Sequence, residues 1–484
     1  MHIVFAASEA VPFAKTGGLA DVVGALPQEI AKLGNQVSVY LPLYASVRPL
    51  LEKELTYAVR SITIPFPHSN RFVGIVDGGL RDGVQFYFID CPEFFDRQGL
   101  YGNNGDSYPD NAERFGLFCR AVLEAAKLLG VPDVFHLHDW EAALTPVLLR
   151  TVYSADPALQ NAASILTIHN AAYQGWFPPS TTDQLLLPWE LFTYDKLEQY
   201  NTFNFLKGGV VYADLLTTVS PKYAEEIQTP EFGNRLEGAL RQRSTDLRGI
   251  LNGVDYTEWD PATDGNLAAH YNPLDLSGKR DCRKDLLHAF GLDVPDETPV
   301  IGICSRFAAQ KGFDLLEQIA GRLAERDLAV VALGTGEPYY EKFFRDFAFA
   351  NAGRFSVQIR YDDAMAHKIE AGADIFLMPS RFEPCGLNQI YSLKYGTIPV
   401  VHATGGLDDT VEEWNPGLNT GTGFKFKPYE SQALLNAIDR ALTAFYDKKQ
   451  WSQLMENAMA QNFSWDKPAR EYNDLYEEAA RKRA

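Results

Sequence analysis

Short, almost wholly apolar runs alternate with amphipathic stretches along nearly all of this chain. The runs are too short for buried helices and too uniformly apolar for strands with one wet face. They suit the buried strands of a parallel sheet, with the amphipathic stretches as helices covering both faces. In the first half His2–Ser8, Val37–Leu41, Val134–His138, Ser164–His169 and Leu215–Ser220 read as strands, and Asp21–Leu33 as a helix. After Ile250-Leu251-Asn252-Gly253-Val254-Asp255 the text turns irregular and rich in Pro and Asp until about Pro299. The alternation then restarts with Val300–Cys304, Ala329–Leu333, Ser356–Ile359, Ile375–Met378 and Pro399–Val401. A chain of 484 residues is too long for one core. The fold class expected is therefore α/β, with two Rossmann-like, doubly wound domains in tandem and a deep cleft between them. Ligands of such folds bind outside the carboxyl ends of the strands.

Charge and composition remove whole classes of function. Lys and Arg number 44 against 63 Asp and Glu, a formal charge of −19. That field repels nucleic acid and anionic lipid, so neither a nucleic acid nor a membrane is an expected partner. No apolar segment is long enough to span a bilayer. Five cysteines with no C-x-x-C pair argue against a disulfide framework or a zinc knuckle. The first residues lack the marks of a signal or transit peptide, which predicts a cytoplasmic protein. Missing too are G-x-G-x-x-G, G-x-x-x-x-G-K-[ST], G-x-S-x-G, H-E-x-x-H and any Asp-x-Asp triplet. Dinucleotide, P-loop, serine-esterase and Asp-x-Asp metal chemistries lose their usual signatures.

What remains gathers at strand ends. Lys15-Thr16-Gly17-Gly18-Leu19-Ala20-Asp21 joins the first strand to its helix, and paired glycines there let a ligand approach the backbone closely. Arg306 and Lys311 follow the first strand of the second half, close enough in sequence to converge on one anion. Arg381-Phe382-Glu383-Pro384-Cys385-Gly386-Leu387 follows Ile375–Met378 and puts Glu383 at that strand's carboxyl end. The amides of Gly386, Leu387 and Asn388 then open a helix towards phosphate. His136 and His138 share a strand face but lack a third ligand at motif spacing, so they read as core or hydrogen-bonding histidines. Asp139 and His169 stand at successive strand ends. Around them Tyr101, Tyr108, Trp140, Tyr173 and Trp176 are of the types that stack on sugar rings, which points to a carbohydrate acceptor.

Together these strings, with Thr404-Gly405-Gly406-Leu407, resemble glycosyltransferase family five, the bacterial glycogen synthases and plant starch synthases. The resemblance runs in order over nearly the whole chain. It implies the GT-B architecture: an acceptor domain over 1–251, a nucleotide-sugar domain over 252–462, and a last helix over 463–484 crossing back to the first domain. It further implies transfer of glucose from ADP-glucose, a substrate rather than a cofactor, to the non-reducing end of an α-1,4-glucan, with retention and without a metal. On matching positions Arg306 and Lys311 would hold the diphosphate, assisted by Lys15, Gly18 and the Cys385–Asn388 turn. Glu383 would face the donor glucose, His169 and Asn252 would position its hydroxyls, and Asp139 would contact glucose or acceptor. Asp21 would lie close to the donor, and Tyr361 would stack on the adenine. A UDP-glucose-dependent or sucrose-type synthase, and a non-catalytic glucan-binding relative, are the alternatives left open.

Overall fold

The computed structural model describes residues 1–51, 55–103 and 105–483. The chain forms two compact units, Met1–Gly253 together with Trp465–Ala484, and Val254–Ser464.

Among the described residues the main sheet of the first unit has nine strands: β1 (His2–Ala6), β2 (Gln36–Pro42), β3 (Tyr57–Ile64), β4 (Arg71–Arg81), β5 (Val84–Asp90), β6 (Val134–His138), β7 (Ala163–Ile168), β8 (Leu215–Thr218) and β9 (Leu247–Gly249). Their order in the sheet is β9-β8-β7-β6-β1-β2-β5-β4-β3. All pairings are parallel as far as β5, whereas β4 and β3 are antiparallel. The wholly parallel sheet expected from the alternation is corrected here, and the cause is local. Only Asp82 and Gly83 separate β4 from β5, both at positive φ (47° and 82°). That left-handed pair is the tight hairpin turn a right-twisted ribbon needs, and it leaves no chain for a crossover helix. The central strands are fully buried, with Ile3, Val4, Phe5, Phe135, Leu137, Ile165 and Leu166 at 0% exposure, as their unbroken apolar text requires. The helix Asp466–Arg481 belongs to this unit and buries Tyr472, Leu475, Tyr476 and Ala479.

The second unit carries six parallel strands: β10 (Val300–Cys304), β11 (Ala329–Leu333), β12 (Phe355–Gln358), β13 (Ile375–Met378), β14 (Ile398–His402) and β15 (Phe424–Phe426). Their order, β12-β11-β10-β13-β14-β15, is that of a doubly wound sheet whose direction of winding reverses between β10 and β13. Apolar clusters pack both faces. The stretch read as irregular up to Pro299 contains a helix, Ser277–Ala289. Its buried apolar stripe is only Cys282, Leu286 and Leu287, too thin to show among the charges around it. All five cysteines are free thiols. Among the described residues no helix is long and apolar enough to cross a membrane.

Candidate functional site

In the second unit the candidate residues sit at the strand ends where the winding reverses. The loop after β10 and the loop after β13 touch backbone to backbone. Gly312 is left-handed (φ 76°), and a Cβ on it would lie 1.9 Å from the Pro379 carbonyl oxygen. The Arg381 amide donates to the Gln310 carbonyl at 2.9 Å. This contact brings Lys311 Nζ to 2.7 Å from Glu383 Oε2, with side chains only 17% and 9% exposed. Ser380 Oγ donates to the same oxygen at 3.0 Å. The Gly406 amide donates to the Glu383 carbonyl at 3.1 Å, while Gly405 (φ 45°) lies so close that a Cβ would stand 2.0 Å from that oxygen. Glu383 is thus fixed through both its side chain and its backbone. Lys311 is first of all its counter-charge, which spacing alone did not show. Arg306 is exposed and has no carboxylate partner among the described residues, so its charge is available to an anion.

Gly386 is left-handed (φ 70°) and turns the chain into the helix Asn388–Lys394. Asn388 uses its side chain to donate to the Cys304 carbonyl at 3.0 Å, tying this turn to β10. Cys385 is buried, and its carbonyl and that of Gly386 both accept from Gln389 Nε2 at 3.0 Å. Tyr361 is 79% exposed, immediately before the Asp362 cap of the helix Asp363–Gly372.

In the first unit the corresponding reversal lies between β1 and β6. Behind β1, buried Glu9 organises the glycine loop. Its carboxylate accepts from the Thr16 amide, from Thr16 Oγ1 at 2.6 Å and from the Gly17 amide at 3.3 Å. Those amides are therefore spent, and Gly18 is the glycine left to meet a ligand. A Cβ on Gly17 or Gly18 would meet nothing within 4 Å, so the loop's outer side is open. Lys15 and Asp21 form an ion pair at 2.7 Å across that loop.

Behind β6, Asp139 is buried at φ 54° and its Oδ1 accepts from the His169 amide at 2.7 Å. The bond the structure shows is a positioning one, holding the next strand end in place. Burial pushes the Asp139 carboxyl up to about 7, with Glu9 adding to the rise against the backbone bonds it accepts. His169 is hydrogen-bonded through Nε2 to His138 Nδ1 at 2.9 Å, and burial lowers its pKa to about 3. It is neutral at physiological pH and acts by hydrogen bonding rather than by charge. His136 bonds Thr167 Oγ1 at 2.7 Å and Tyr476 Oη at 2.8 Å, the hydrogen-bonding role read from its strand. Asn252 is buried, and its Oδ1 has no hydrogen-bond partner among the described residues, as suits a group held for a ligand hydroxyl.

The aromatic set divides. Trp140 is buried between Phe115, Phe177 and Phe205, with centroids at 4.9, 5.7 and 5.9 Å, and its ring rests on Gly175. Tyr101 packs on Phe115, and its hydroxyl is bonded to Ser8 Oγ and Glu9. Tyr108 is covered by the guanidinium groups of Arg97 and Arg114 at 5.1 and 4.9 Å. Protein groups already lie against all three rings: phenylalanines against Trp140 and Tyr101, and two guanidinium groups against Tyr108. Tyr173 remains 54% exposed. Trp176 stacks on Tyr200 beside a hollow of about 270 Å³ that it lines with Ala172, Gln174, Asn234 and Arg235.

Sequence reasoning missed Glu9 and Ser380. A carboxylate three residues past the end of β1 was a signal for the first. Nothing local distinguished Ser380 from an ordinary turn residue.

Comparison with known proteins agrees with this geometry. Residues 2–242 match the family described as starch synthase catalytic domain, and residues 287–458 match glycosyl transferases group 1. The glycogen synthase of Koribacter versatilis is 57% identical over 484 residues, covering 100% of this chain and 99% of the relative. That of Thermotoga petrophila is 45% identical over 488 residues, covering 100% and 99%. Among solved structures, the catalytic domain of starch synthase IV from Arabidopsis thaliana, bound to ADP and acarbose, superposes with a TM-score of 0.88 at 32% identity, covering 99% of both chains. A sucrose-phosphate synthase from Thermosynechococcus elongatus shares the fold, with a TM-score of 0.60 at 17% identity, 99% of this chain and 98% of that one being covered. The two doubly wound α/β units are those of a GT-B glycosyltransferase, and the chain belongs to the glycogen synthase and starch synthase family.

Proposed function

We propose that this protein transfers glucose from ADP-glucose to the non-reducing end of an α-1,4-glucan, with retention of configuration and without a metal in the chemical step. The observation that carries the reading is the buried Lys311–Glu383 pair at the winding reversal of the second unit, with exposed Arg306 on the loop that carries Lys311. Breaking the bond between glucose and diphosphate develops positive charge on the sugar and negative charge on the leaving group. Glu383, paired with Lys311, steadies the first, and Arg306 and Lys311 draw the second. Groups already fixed by the fold need little reorganisation as charge moves. Lys15 and the bare backbone at Gly18 supply further anion contacts, and neutral His169 and Asn252 supply hydrogen bonds for hydroxyls. Exposed Tyr361 offers a face to the adenine, and Tyr173 and Trp176 offer faces to the glucan.

A donor screen with a maltooligosaccharide acceptor tests this. Expected are ADP release from ADP-glucose, α-1,4-linked product and turnover unaffected by EDTA. A preference for UDP-glucose defeats the donor assignment. No nucleotide release from any donor in the presence of glucan defeats the enzymatic reading.

A further inference from the structure

We propose that Glu258, Asp363 and His367 form a site on the second unit for one divalent first-row transition-metal ion, with Zn²⁺ the best match. The argument starts from the His367 imidazole, which is 1% exposed. Its Nδ1 is bonded to Asp264 Oδ2 at 2.7 Å, and Asp264 Oδ2 also accepts from Tyr395 Oη at 2.6 Å. Trp259 stacks on the ring, with centroids 3.7 Å apart and planes 12° apart. The ring can neither flip nor rotate without losing these contacts. The Asp264 carboxylate is an acceptor, so Nδ1 donates to it and Nε2 is the ring nitrogen left for a metal. That Nε2 is buried and has no hydrogen-bond partner among the described residues, a state a folded protein rarely leaves uncompensated.

This nitrogen faces two carboxylates. Asp363 is four residues before His367 on the same helix face, and its Oδ2 lies 4.0 Å from Nε2. That is too long for a hydrogen bond. It is close to the roughly 3.4 Å that separates two ligands of a tetrahedral ion with bonds of about 2.1 Å. Glu258 comes from the irregular segment before the helix Ser277–Ala289, and one ligand atom from each of the three residues lies within 4.8 Å of the others. Asp264 behind the imidazole completes a carboxylate–histidine–metal arrangement, in which an outer carboxylate orients the ring and raises its basicity. An imidazole in the set disfavours Ca²⁺ and Mg²⁺, which take oxygen ligands, and a mixed N,O set suits Zn²⁺. Three protein ligands leave a position for water. An ion here would staple the Glu258 segment to the helix that begins two residues after Tyr361. None of the three ligands is a group assigned to the chemistry at Glu383, so turnover without added metal leaves the site untouched.

The test uses the full chain, treated with chelator and dialysed, then titrated with Zn²⁺ alone by calorimetry and with Co²⁺ alone by absorbance. Expected are one equivalent of Zn²⁺ per chain, a rise in melting temperature on binding, and a Co²⁺ spectrum showing nitrogen ligation. Glu258→Gln and Asp363→Asn change exposed side chains and are expected to fold. Each should weaken Zn²⁺ binding at least tenfold, while Asp293→Asn, exposed and distant in sequence, should not. His367→Gln should abolish binding, and the two carboxylate variants keep the test decisive should that buried change prevent folding. Absence of stoichiometric uptake, or an affinity unchanged in either carboxylate variant, overturns the three-ligand site.

Discussion

Lys311 and Glu383 are each buried more deeply than a lone charge tolerates, so each depends on the other. Lys311→Met should therefore cost stability as well as activity: about 3–5 kcal/mol from the stranded carboxylate and at least about 100-fold in kcat. Lys311→Met combined with Glu383→Gln should regain most of the stability and none of the rate. Thermal melts beside single-turnover rates separate the two effects, and a fully stable, active single variant would remove the pair from the mechanism. A second residue-scale prediction concerns pH. Asp139 is raised to about 7 by burial, so its contribution to stability is largest below about pH 4 and is lost as pH rises to about 7. His169 is lowered to about 3 by burial, so its contribution is present above about pH 6.5 and is lost as pH falls. The two slopes oppose each other between about pH 4 and 6.5. Asp139→Asn removes only the first, so its unfolding midpoint should fall more steeply on acidification over that range than the parent's. Parallel curves would show that Asp139 does not titrate as described.

The two glycine loops make opposite predictions at the scale of elements. A Cβ on Gly18 enters open space at the start of the helix Gly18–Lys32. Gly18→Ala should keep or slightly raise the melting temperature and raise KM for the nucleotide sugar several-fold. A Cβ on Gly405 would strike the Glu383 carbonyl, at a φ of 45° that a side chain rarely adopts. Gly405→Ala should lower melting temperature and kcat together. Equal effects from both substitutions would contradict this division between ligand approach and backbone packing. The strands at these loops were legible because a buried parallel strand announces itself in its own few residues. Val134–His138, Val300–Cys304, Ala329–Leu333 and Ile375–Met378 match their expected bounds residue for residue. The β3–β4–β5 ribbon was missed although Asp82-Gly83 is a dipeptide that marks a two-residue hairpin, because only buried apolar runs were read as strands. The helix Ser277–Ala289 was hidden because charge surrounds its few buried positions.

For the whole molecule, the first unit is discontinuous in sequence, closed by a helix that arrives more than two hundred residues after the unit's main segment ends. Tyr476 Oη satisfies the buried His136 Nδ1. Tyr476→Phe should therefore cost about 1–3 kcal/mol by leaving that nitrogen unpaired. Ending the chain at Ser464 exposes the surface that Tyr472, Leu475 and Tyr476 cover, and should give insoluble protein or a much lower melting temperature. A truncated chain with the parent's melting curve would show that the helix is not part of the core.

The sequence by itself determined the alternation, the α/β class and the placing of glycines and charges at strand ends, because each is encoded within a few neighbouring residues. Only the tertiary structure decided which side chains meet. Lys311 found Glu383 across 72 residues, and Asp264 fixed His367 across 103. Trp140 and Tyr101 gave their faces to phenylalanines that no local pattern could assign to them. Local text sets a backbone's preferences, whereas burial and partnership are properties of the packed whole.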